Sequence, residues 1–267
     1  MTSKLVPVVL LSMMVMGCSD FLQPDLTPPT PPQVIVASGF DGKIEIDWVP
    51  SPEHDVAGYR VYTSYAPDGR YTLLGSTDQN WFIDHGLQNG TTYYYTLSAY
   101  DRSGNESPLS PATAAATPRP EGRDVALADY LTSPDFAGYD FSTYSVGPYD
   151  DLYTDVYFEF GSPVSYLDVP DDTNIQDVGY TTSLDDVTEA PNGGWSPTKD
   201  ARLIRGHTYV VQTWDNHYAK MRIISISSSY VTFDWAYQLQ TGNLFLKSGT
   251  PAVRQAWAAG AGALSRK

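Results

Sequence analysis

The sequence predicts an all-β protein in which two antiparallel β domains follow one another, and three observations support this fold class. The 267 residues include 20 Tyr, 21 Gly and 20 Pro. Aromatic residues favour strands, whereas Gly and Pro favour the tight turns that join strands. Apolar and polar residues also alternate over many short segments, which indicates strands with one buried face. A chain of this length corresponds to about two domains.

The net charge and the cysteine count exclude several classes of function. The formal net charge is -15, so the phosphates of a nucleic acid would be repelled and we expect no nucleic-acid partner. The same charge argues against docking on anionic lipids through a basic patch. Cys18 is the only cysteine in the sequence. An internal disulfide, a zinc-thiolate site and a cysteine nucleophile are therefore excluded.

The N-terminal segment has the layout of a secretory signal. Lys4 is followed by an apolar run over residues 5–16, which is shorter than the roughly 20 residues of a membrane-spanning helix. Cys18 then stands where bacterial lipoprotein signals place the residue that is lipidated, and the segment resembles such a signal. The resemblance implies that residues 1–17 are removed and that a lipid on Cys18 anchors the protein to a membrane. A serine directly after the cysteine, such as Ser19, resembles the sorting pattern of outer-membrane lipoproteins. We therefore expect an exported protein at the outer membrane or cell surface.

The residues that follow the cysteine predict a stalk. Residues 18–32 contain five prolines, which favour an extended polyproline geometry with a rise of about 3.1 Å per residue. We interpret this segment as a spacer that lifts the folded part of the chain off the membrane.

Residues 33–117 alternate in the way that strands of a sandwich require. Ile44, Ile46 and Trp48 alternate with acidic residues, which gives one apolar and one polar face. Residues 93–101 repeat this alternation with aromatic and small side chains on one face. Turn-forming Gly, Asp and Asn residues separate the segments. The pattern predicts a first β domain over residues 33–117.

The last third of this region contains a tyrosine motif. Leu87, Gly90 and Tyr93 have the spacing L-x-x-G-x-x-Y, which marks a corner where the tyrosine hydroxyl bonds back to the backbone. With Trp48 in the second strand, these residues make the region resemble a fibronectin type III domain. The resemblance implies an immunoglobulin-like β-sandwich in which Trp48 and Tyr93 belong to the core. Such a fold by itself specifies no activity.

A region of different character follows a short Pro-containing linker, which we predict at residues 118–123. Acidic and aromatic residues are frequent from here on, and no Lys or Arg occurs between Arg123 and Lys199. We expect a second antiparallel β domain over residues 124–250, and an Ala- and Gly-rich helix or tail at 251–267.

The most regular part of the second domain is a meander. Residues 207–237 form three alternating segments, separated by turn residues at 215–216 and 227–229. This spacing predicts three consecutive antiparallel strands.

Two histidines suggest a haem site as an alternative function. The motifs YVVxT at residues 209–213 and YAKM at residues 218–221 resemble the strand core of HmuY-type haem-capturing lipoproteins, which are also lipid-anchored and all-β. The resemblance covers about 30 residues and implies that His207 and His217 are the axial ligand candidates, because neutral imidazole binds iron. The competing interpretation is that both are polar residues at strand edges.

A calcium site is a second possibility for a bound ion. Asp168, Asp171 and Asp172, together with Asn174, supply closely spaced oxygen ligands of the kind that Ca²⁺ prefers. The sequence has no D-x-D-x-D-G loop, and a solvated acidic surface explains the same residues. We therefore expect no resident cofactor, with haem or calcium as the alternatives.

The sequence gives little support for catalysis. It contains no G-x-S-x-G, no H-E-x-x-H and no Gly-rich phosphate loop. Many carboxylates leave a glycosidase open, but the second domain is a small scaffold for a cleft. We expect a non-catalytic binding or scaffolding module for a protein or glycan, because Tyr and Trp offer large contact areas with polar tips. Trp195, beside a Gly-Gly turn, is the candidate for an exposed contact, and a buried anchor is its alternative.

Overall fold

The computed structural model describes residues 24–247, apart from Ala112 and the side chain of Val34. The predicted signal, the predicted lipidation site at Cys18 and the predicted tail at 251–267 lie outside these residues. Strands dominate the described part, and its helices are two three-residue 3-10 turns. No helix within it is long and apolar enough to span a bilayer. The predicted all-β class is confirmed.

The first domain is a sandwich of two antiparallel sheets. One sheet has three strands in the order β1-β2-β5, and the other has four in the order β4-β3-β6-β7. This arrangement confirms the predicted fibronectin type III sandwich. The strands are β1 (Gln33–Phe40), β2 (Lys43–Val49), β3 (Val56–Ser64), β4 (Thr72–Thr77), β5 (Trp81–His85), β6 (Tyr93–Asp101) and β7 (Ala114–Ala116).

The core of the first domain contains the residues that the motif predicted. Trp48 is buried between the sheets and meets the ring of Tyr59 edge-on, with 5.3 Å between ring centroids. The backbone N–H of Gln88 donates a hydrogen bond of 3.1 Å to the hydroxyl of Tyr93. Gly90 has a φ of 83°, a left-handed conformation that the tight turn requires. The predicted tyrosine corner is therefore present.

The described part of the predicted stalk lies against this sandwich. Residues 24–32 have no regular secondary structure. The hydroxyl of Ser51 donates to the carbonyl of Thr30 over 2.7 Å, and the side-chain amide of Asn105 donates to the carbonyl of Asp25 over 2.9 Å. An extended Pro-rich chain leaves its carbonyls free to accept such bonds. This part of the segment is mostly exposed and is hydrogen-bonded to the sandwich at two points. Its predicted role as a spacer stays a prediction.

The second domain is also a sandwich, made of two five-stranded sheets. The front sheet has the order β10-β9-β11-β12-β14, and the back sheet has the order β13-β15-β16-β17-β8. The predicted meander is present as β15 to β17. The strands are β8 (Glu121–Ala128), β9 (Gly138–Asp140), β10 (Ser145–Gly147), β11 (Val156–Glu159), β12 (Tyr166–Asp168), β13 (Asn174–Tyr180), β14 (Asp200–Arg202), β15 (His207–Gln212), β16 (Tyr218–Ile226) and β17 (Tyr230–Gln238).

Aromatic rings fill the space between the front and back sheets. Tyr139 on the front sheet meets Phe233 and Trp235 on the back sheet, with ring centroids 5.5 and 5.6 Å apart. Phe158 and Met221 are fully buried in the same cluster. Since each of these side chains alternates with an outward-facing neighbour, the front sheet also has a defined outer face.

A second tyrosine corner connects the two sheets of this domain. Leu203, Gly206 and Tyr209 repeat the spacing L-x-x-G-x-x-Y. The N–H of Ile204 donates to the hydroxyl of Tyr209 over 2.9 Å, and that hydroxyl donates to the carbonyl of Arg202 over 2.6 Å. The φ of Gly206 is 84°. Both sandwiches thus use the same turn where the chain crosses from one sheet to the other.

The boundary between the domains differs from the predicted one. β8 begins at Glu121, so the last three residues of the predicted linker at 118–123 belong to the second domain. The guanidinium of Arg123 lies 3.1 Å from the carboxylate of Asp234 on β17. The charged residues at the end of the predicted linker therefore form ion pairs within the back sheet.

Candidate functional site

The outer face of the front sheet collects aromatic and acidic side chains. On β11, Val156 and Phe158 are buried in the core, so the alternating Tyr157 and Glu159 face outwards and are half-buried. The strand register places Tyr157 opposite Asp168. We call this outer surface the tyrosine face. It consists of Tyr130, Tyr149, Tyr157, Glu159, Asp168 and Asp200.

Three tyrosines on this face contact one another. The ring centroids of Tyr130 and Tyr149 are 5.1 Å apart, and those of Tyr130 and Tyr157 are 5.6 Å apart. The third pair, Tyr149 and Tyr157, is separated by 5.5 Å. All three side chains are half-buried. The cluster therefore supports its own geometry while leaving part of each ring open to solvent.

Backbone hydrogen bonds hold the two loop tyrosines against the sheet. The N–H of Tyr130 donates to the carbonyl of Phe158 on β11 over 3.0 Å. The N–H of Tyr149 donates to the carbonyl of Pro134 over 3.0 Å, which ties the loop before β11 to the loop after β8. These bonds fix ring positions that strand alternation alone does not determine.

Carboxylates adjoin the tyrosine cluster in an unusual arrangement. Asp168 lies directly opposite Asp200 in the antiparallel register of β12 and β14, and like charges in that position destabilise a sheet. Burial, followed by the nearby charges of Glu159 and Asp200, raises the pKa of Asp168 to about 7. Its Oδ2 is buried and has no hydrogen-bond partner among the described residues. Departures from favourable strand pairing of this kind are expected at functional sites.

The phenols provide the complementary chemistry. Burial, followed by the charge of Asp168, raises the pKa of Tyr157 to about 12. Burial and the charge of Glu159 also raise the pKa of Tyr130. Both hydroxyls therefore stay protonated near neutral pH and can donate hydrogen bonds, whereas the carboxylates accept them.

Exposed apolar residues flank the tyrosine cluster on the same two loops. Leu131 and Phe136 follow β8 and are 68% and 64% exposed, and Leu152 in the loop before β11 is 84% exposed. Large apolar side chains that water surrounds in this way mark interaction surfaces when they occur together. Their placement on the loops that carry Tyr130 and Tyr149 indicates a contact area that extends beyond the sheet.

The structure does not bring the two predicted haem ligands together. Nδ1 of His207 lies 3.0 Å from both carboxylate oxygens of Asp177. The carbonyl of His217 accepts a hydrogen bond from the N–H of Thr213, so His217 lies beside Thr213. Thr213 is six residues after His207 along the extended chain. At about 3.3 Å per residue the two histidines are roughly 20 Å apart. They do not coordinate one iron at that separation, and haem binding through either histidine alone stays a prediction.

The predicted calcium ligands are also separate. Asp168 belongs to the tyrosine face, whereas Asp171 and Asp172 are exposed in the turn that follows β12. Within the described part of the chain, one group of three carboxylates has oxygens that all lie within 4.8 Å of one another, and it does not include these residues. That group is Asp25, Asp55 and Asp101.

Trp195 is packed rather than free. Its ring stacks on that of Tyr218, with 6.5 Å between centroids and 24° between planes. It belongs to a small cluster on the outer side of the back sheet with Ala190, Val210 and Leu246. The structure thus favours the interpretation of Trp195 as an anchor for the loop that carries it.

Lys220 is a buried cation that has a structural explanation. Its ammonium donates to the carbonyls of Leu184 and Val187 over 2.6 and 2.9 Å. Burial, followed by the charge of Arg119, lowers the pKa of Lys220 well below its usual value. Because both bonds go to backbone carbonyls, Lys220 fastens the loop over the back sheet.

The sequence indicated Asp168 as a calcium-ligand candidate, but it did not indicate the other residues of the tyrosine face, although their region stood out as acidic and aromatic. The alternation of Tyr157 and Glu159 with apolar residues was a usable signal for an outer face. The contacts of Tyr130 and Tyr149 depend on how two loops fold over the sheet, and no local spacing encodes them.

Comparisons of the sequence with characterised proteins find relatives that resemble a limited part of this chain. An amylopullulanase of Thermoanaerobacterium saccharolyticum is 36% identical over 99 residues, which are 37% of this chain and 8% of that protein. A chitinase of Paenibacillus xylanexedens is 32% identical over 96 residues, or 35% of this chain and 17% of that protein. The chain thus spans a small fraction of these relatives. No protein-family profile matches it.

Similar solved structures cover between a third and four fifths of this chain. An Fn3-like protein from Clostridium thermocellum is 26% identical, with a TM-score of 0.30 over 33% of this chain and 92% of that chain. A β-1,2-glucanase from Parabacteroides distasonis is 28% identical, with a TM-score of 0.30 over 35% of this chain and 13% of that chain. A DUF4466 family protein from Parabacteroides merdae is 12% identical, with a TM-score of 0.43 over 79% of this chain and 99% of that chain.

Proposed function

We propose that the protein is a non-catalytic glycan-binding module, exported and held at the outer membrane or cell surface by a lipid on Cys18. The observation that carries this proposal is the tyrosine face, where three touching, part-exposed tyrosine rings lie beside Asp168, whose Oδ2 has no hydrogen-bond partner in the described part of the chain. The first domain then serves as a spacer and support for the second.

The chemistry of the tyrosine face suits a sugar chain. Aromatic rings offer apolar surface with a polar tip, which matches the apolar faces and hydroxyl rims of pyranose rings. The phenols donate and the carboxylates accept, so both hydrogen-bonding roles of a sugar hydroxyl are served. The face is an outer sheet surface, along which an extended polymer can lie. This geometry favours retention of a chain over cleavage of one bond.

The relatives support the same ligand class. Their names, amylopullulanase and chitinase, are those of enzymes that act on polysaccharides. The matched stretch is about as long as one sandwich domain. The similarity therefore supports a non-catalytic, accessory role for this chain.

A retention screen tests the proposal. The full chain is run through native gels that contain soluble starch, glycol chitin or hydroxyethyl cellulose, beside the variants Tyr157→Ala and Tyr180→Ala. Tyr180 is the matched control because its side chain is 71% exposed on β13, in the back sheet. We expect one polymer to retard the wild type and the control, and Tyr157→Ala to weaken binding about tenfold, or about 1.4 kcal/mol. Equal retardation of all three proteins would refute the role of the tyrosine face.

A further inference from the structure

The two domains meet around the linker and enclose a cavity. Its volume is about 460 Å³, within the range of small-molecule sites. The first domain contributes the turn at Gly90 and the end of β7, and the second contributes Glu189, Gln240, Phe245 and Lys247. Ligand sites occur preferentially at such domain interfaces.

Contacts on both sides of the linker fix the walls of this cavity. The N–H of Gly90 donates to the carbonyl of Pro118 over 2.8 Å, and the N–H of Tyr237 donates to the carbonyl of Pro120 over 3.0 Å. A Cβ added at Gly90 would lie 3.3 Å from Cδ1 of Leu239, which shows how closely the turn approaches the second domain. The linker is therefore bonded to both domains.

Arg119 adds a buried cross-connection at the same place. Its guanidinium donates to the carbonyl of Leu246 and, over 3.0 Å, to the carboxylate of Asp185. The side chain is buried, and it lines the cavity. These bonds hold the segment that contains Phe245 in place, so the cavity is preformed rather than a loose gap.

The lining combines an exposed ring with free polar groups. The side chain of Phe245 is 61% exposed. Glu189, Gln240 and Lys247 line the same cavity, and their side chains carry a carboxylate, an amide nitrogen and an ammonium. In the part of the chain that the structure describes, none of these three groups has a hydrogen-bond or ion-pair partner.

The charges and donors in the lining select for a neutral, hydroxyl-rich ligand. The charge of Arg119 is paired with Asp185. Glu189 and Lys247 contribute opposite charges, and Gln240 contributes a neutral amide, so neither an anion nor a cation is favoured overall. An apolar ring surrounded by one acceptor and two donors matches the apolar face and hydroxyls of a sugar.

We propose that the cavity between the domains is a second glycan subsite, which holds a short neutral oligosaccharide against Phe245. This inference rests on the proposed glycan-binding function, but it concerns residues that are separate from the tyrosine face. A ligand held there contacts both domains at once, so its binding also stabilises their mutual arrangement.

Calorimetric stoichiometry tests this inference on the full chain. The probes are maltotetraose, chitotetraose and cellotetraose, and the variants are Phe245→Ala, Gln240→Ala and Tyr157→Ala. We expect the wild type to bind two molecules of one tetrasaccharide. Phe245→Ala and Tyr157→Ala should each retain one site, and Gln240→Ala should weaken the cavity site about threefold to tenfold. Both cavity side chains are exposed, so these substitutions test binding rather than folding.

The outcomes separate this inference from the proposed function. A wild type with one site that Tyr157→Ala abolishes and Phe245→Ala preserves would overturn the cavity subsite alone. A site that depends on Phe245 and Gln240, with no effect of Tyr157→Ala, would support the cavity and refute the tyrosine face.

Discussion

At the scale of single residues, Asp168 links the stability of the second domain to the function that we propose. Its pKa is raised to about 7, chiefly by burial, whereas an unfolded aspartate titrates near 4. Between these two values the folded state holds a proton that the unfolded state has lost. The free energy of unfolding therefore falls as pH rises through this window. Glu159 and Asp200 are the charged groups that add to this effect.

The first prediction concerns the pH dependence of glycan binding. Ionised Asp168 accepts hydrogen bonds from sugar hydroxyls more strongly than the neutral acid. We expect affinity to rise about threefold to tenfold between pH 5.5 and pH 8, with a midpoint near 7. Asp168→Asn should remove this rise and reduce the pH dependence of stability, to which Asp155 also contributes because burial raises its pKa to about 7. Isothermal titration across the pH range provides the measurement. Parallel profiles for the wild type and the variant would contradict the role of Asp168.

At the scale of elements, the two tyrosine corners show what the sequence predicts and where prediction stops. The spacing of Leu87, Gly90 and Tyr93 predicted the first corner, and the same spacing at Leu203, Gly206 and Tyr209 was equally visible in the sequence. The strand before this second corner, β14, has three residues, so no strand alternation marks the position of the corner. β9, β10, β12 and β14 have three residues each, which is too few for alternation to identify a strand.

The second prediction concerns the corner of the second domain. Tyr209→Phe removes the hydroxyl that bonds to Arg202 and Ile204, and it leaves a backbone carbonyl without its donor. We expect a loss of about 1–3 kcal/mol in the free energy of unfolding, measured by urea denaturation. Tyr180→Phe is the control, because that side chain is exposed and should change stability little. A loss no larger than that of the control would show that the corner does not stabilise the domain.

At the scale of the whole molecule, the sequence predicted two successive β domains because each region has its own alternation and turn pattern. It did not predict that the linker bonds to both domains, nor that the described end of the stalk lies on the first sandwich. These contacts join residues that are distant in sequence, such as Asn105 with Asp25 and Arg119 with Leu246. Local sequence patterns carry no information about such pairs. The contacts of the tyrosine face also join residues that are distant in sequence, so they were not predictable for the same reason.

The third prediction concerns attachment to the membrane. Cells that express the wild type or Cys18→Ala are labelled with a fatty-acid probe and then treated with a protease that does not cross the outer membrane. We expect label on the wild type alone, and release of the second domain from intact cells. A wild type without label would contradict the lipid anchor, whereas a labelled but protected protein would place the domains on the periplasmic side.

We place the main glycan contact on the tyrosine face of the second domain, and in the first domain we expect contact only at the turn beside the cavity. Hydrogen exchange of the full chain, with and without the polymer that retards it in gels, tests this claim most directly. We expect slower exchange at residues 130–136 and 149–154, the loops that carry the tyrosine cluster, and unchanged exchange in the loops of residues 33–117 other than the turn at Gly90, which lines the cavity between the domains. Protection confined to the first domain, with no change in these two loops, would contradict the account.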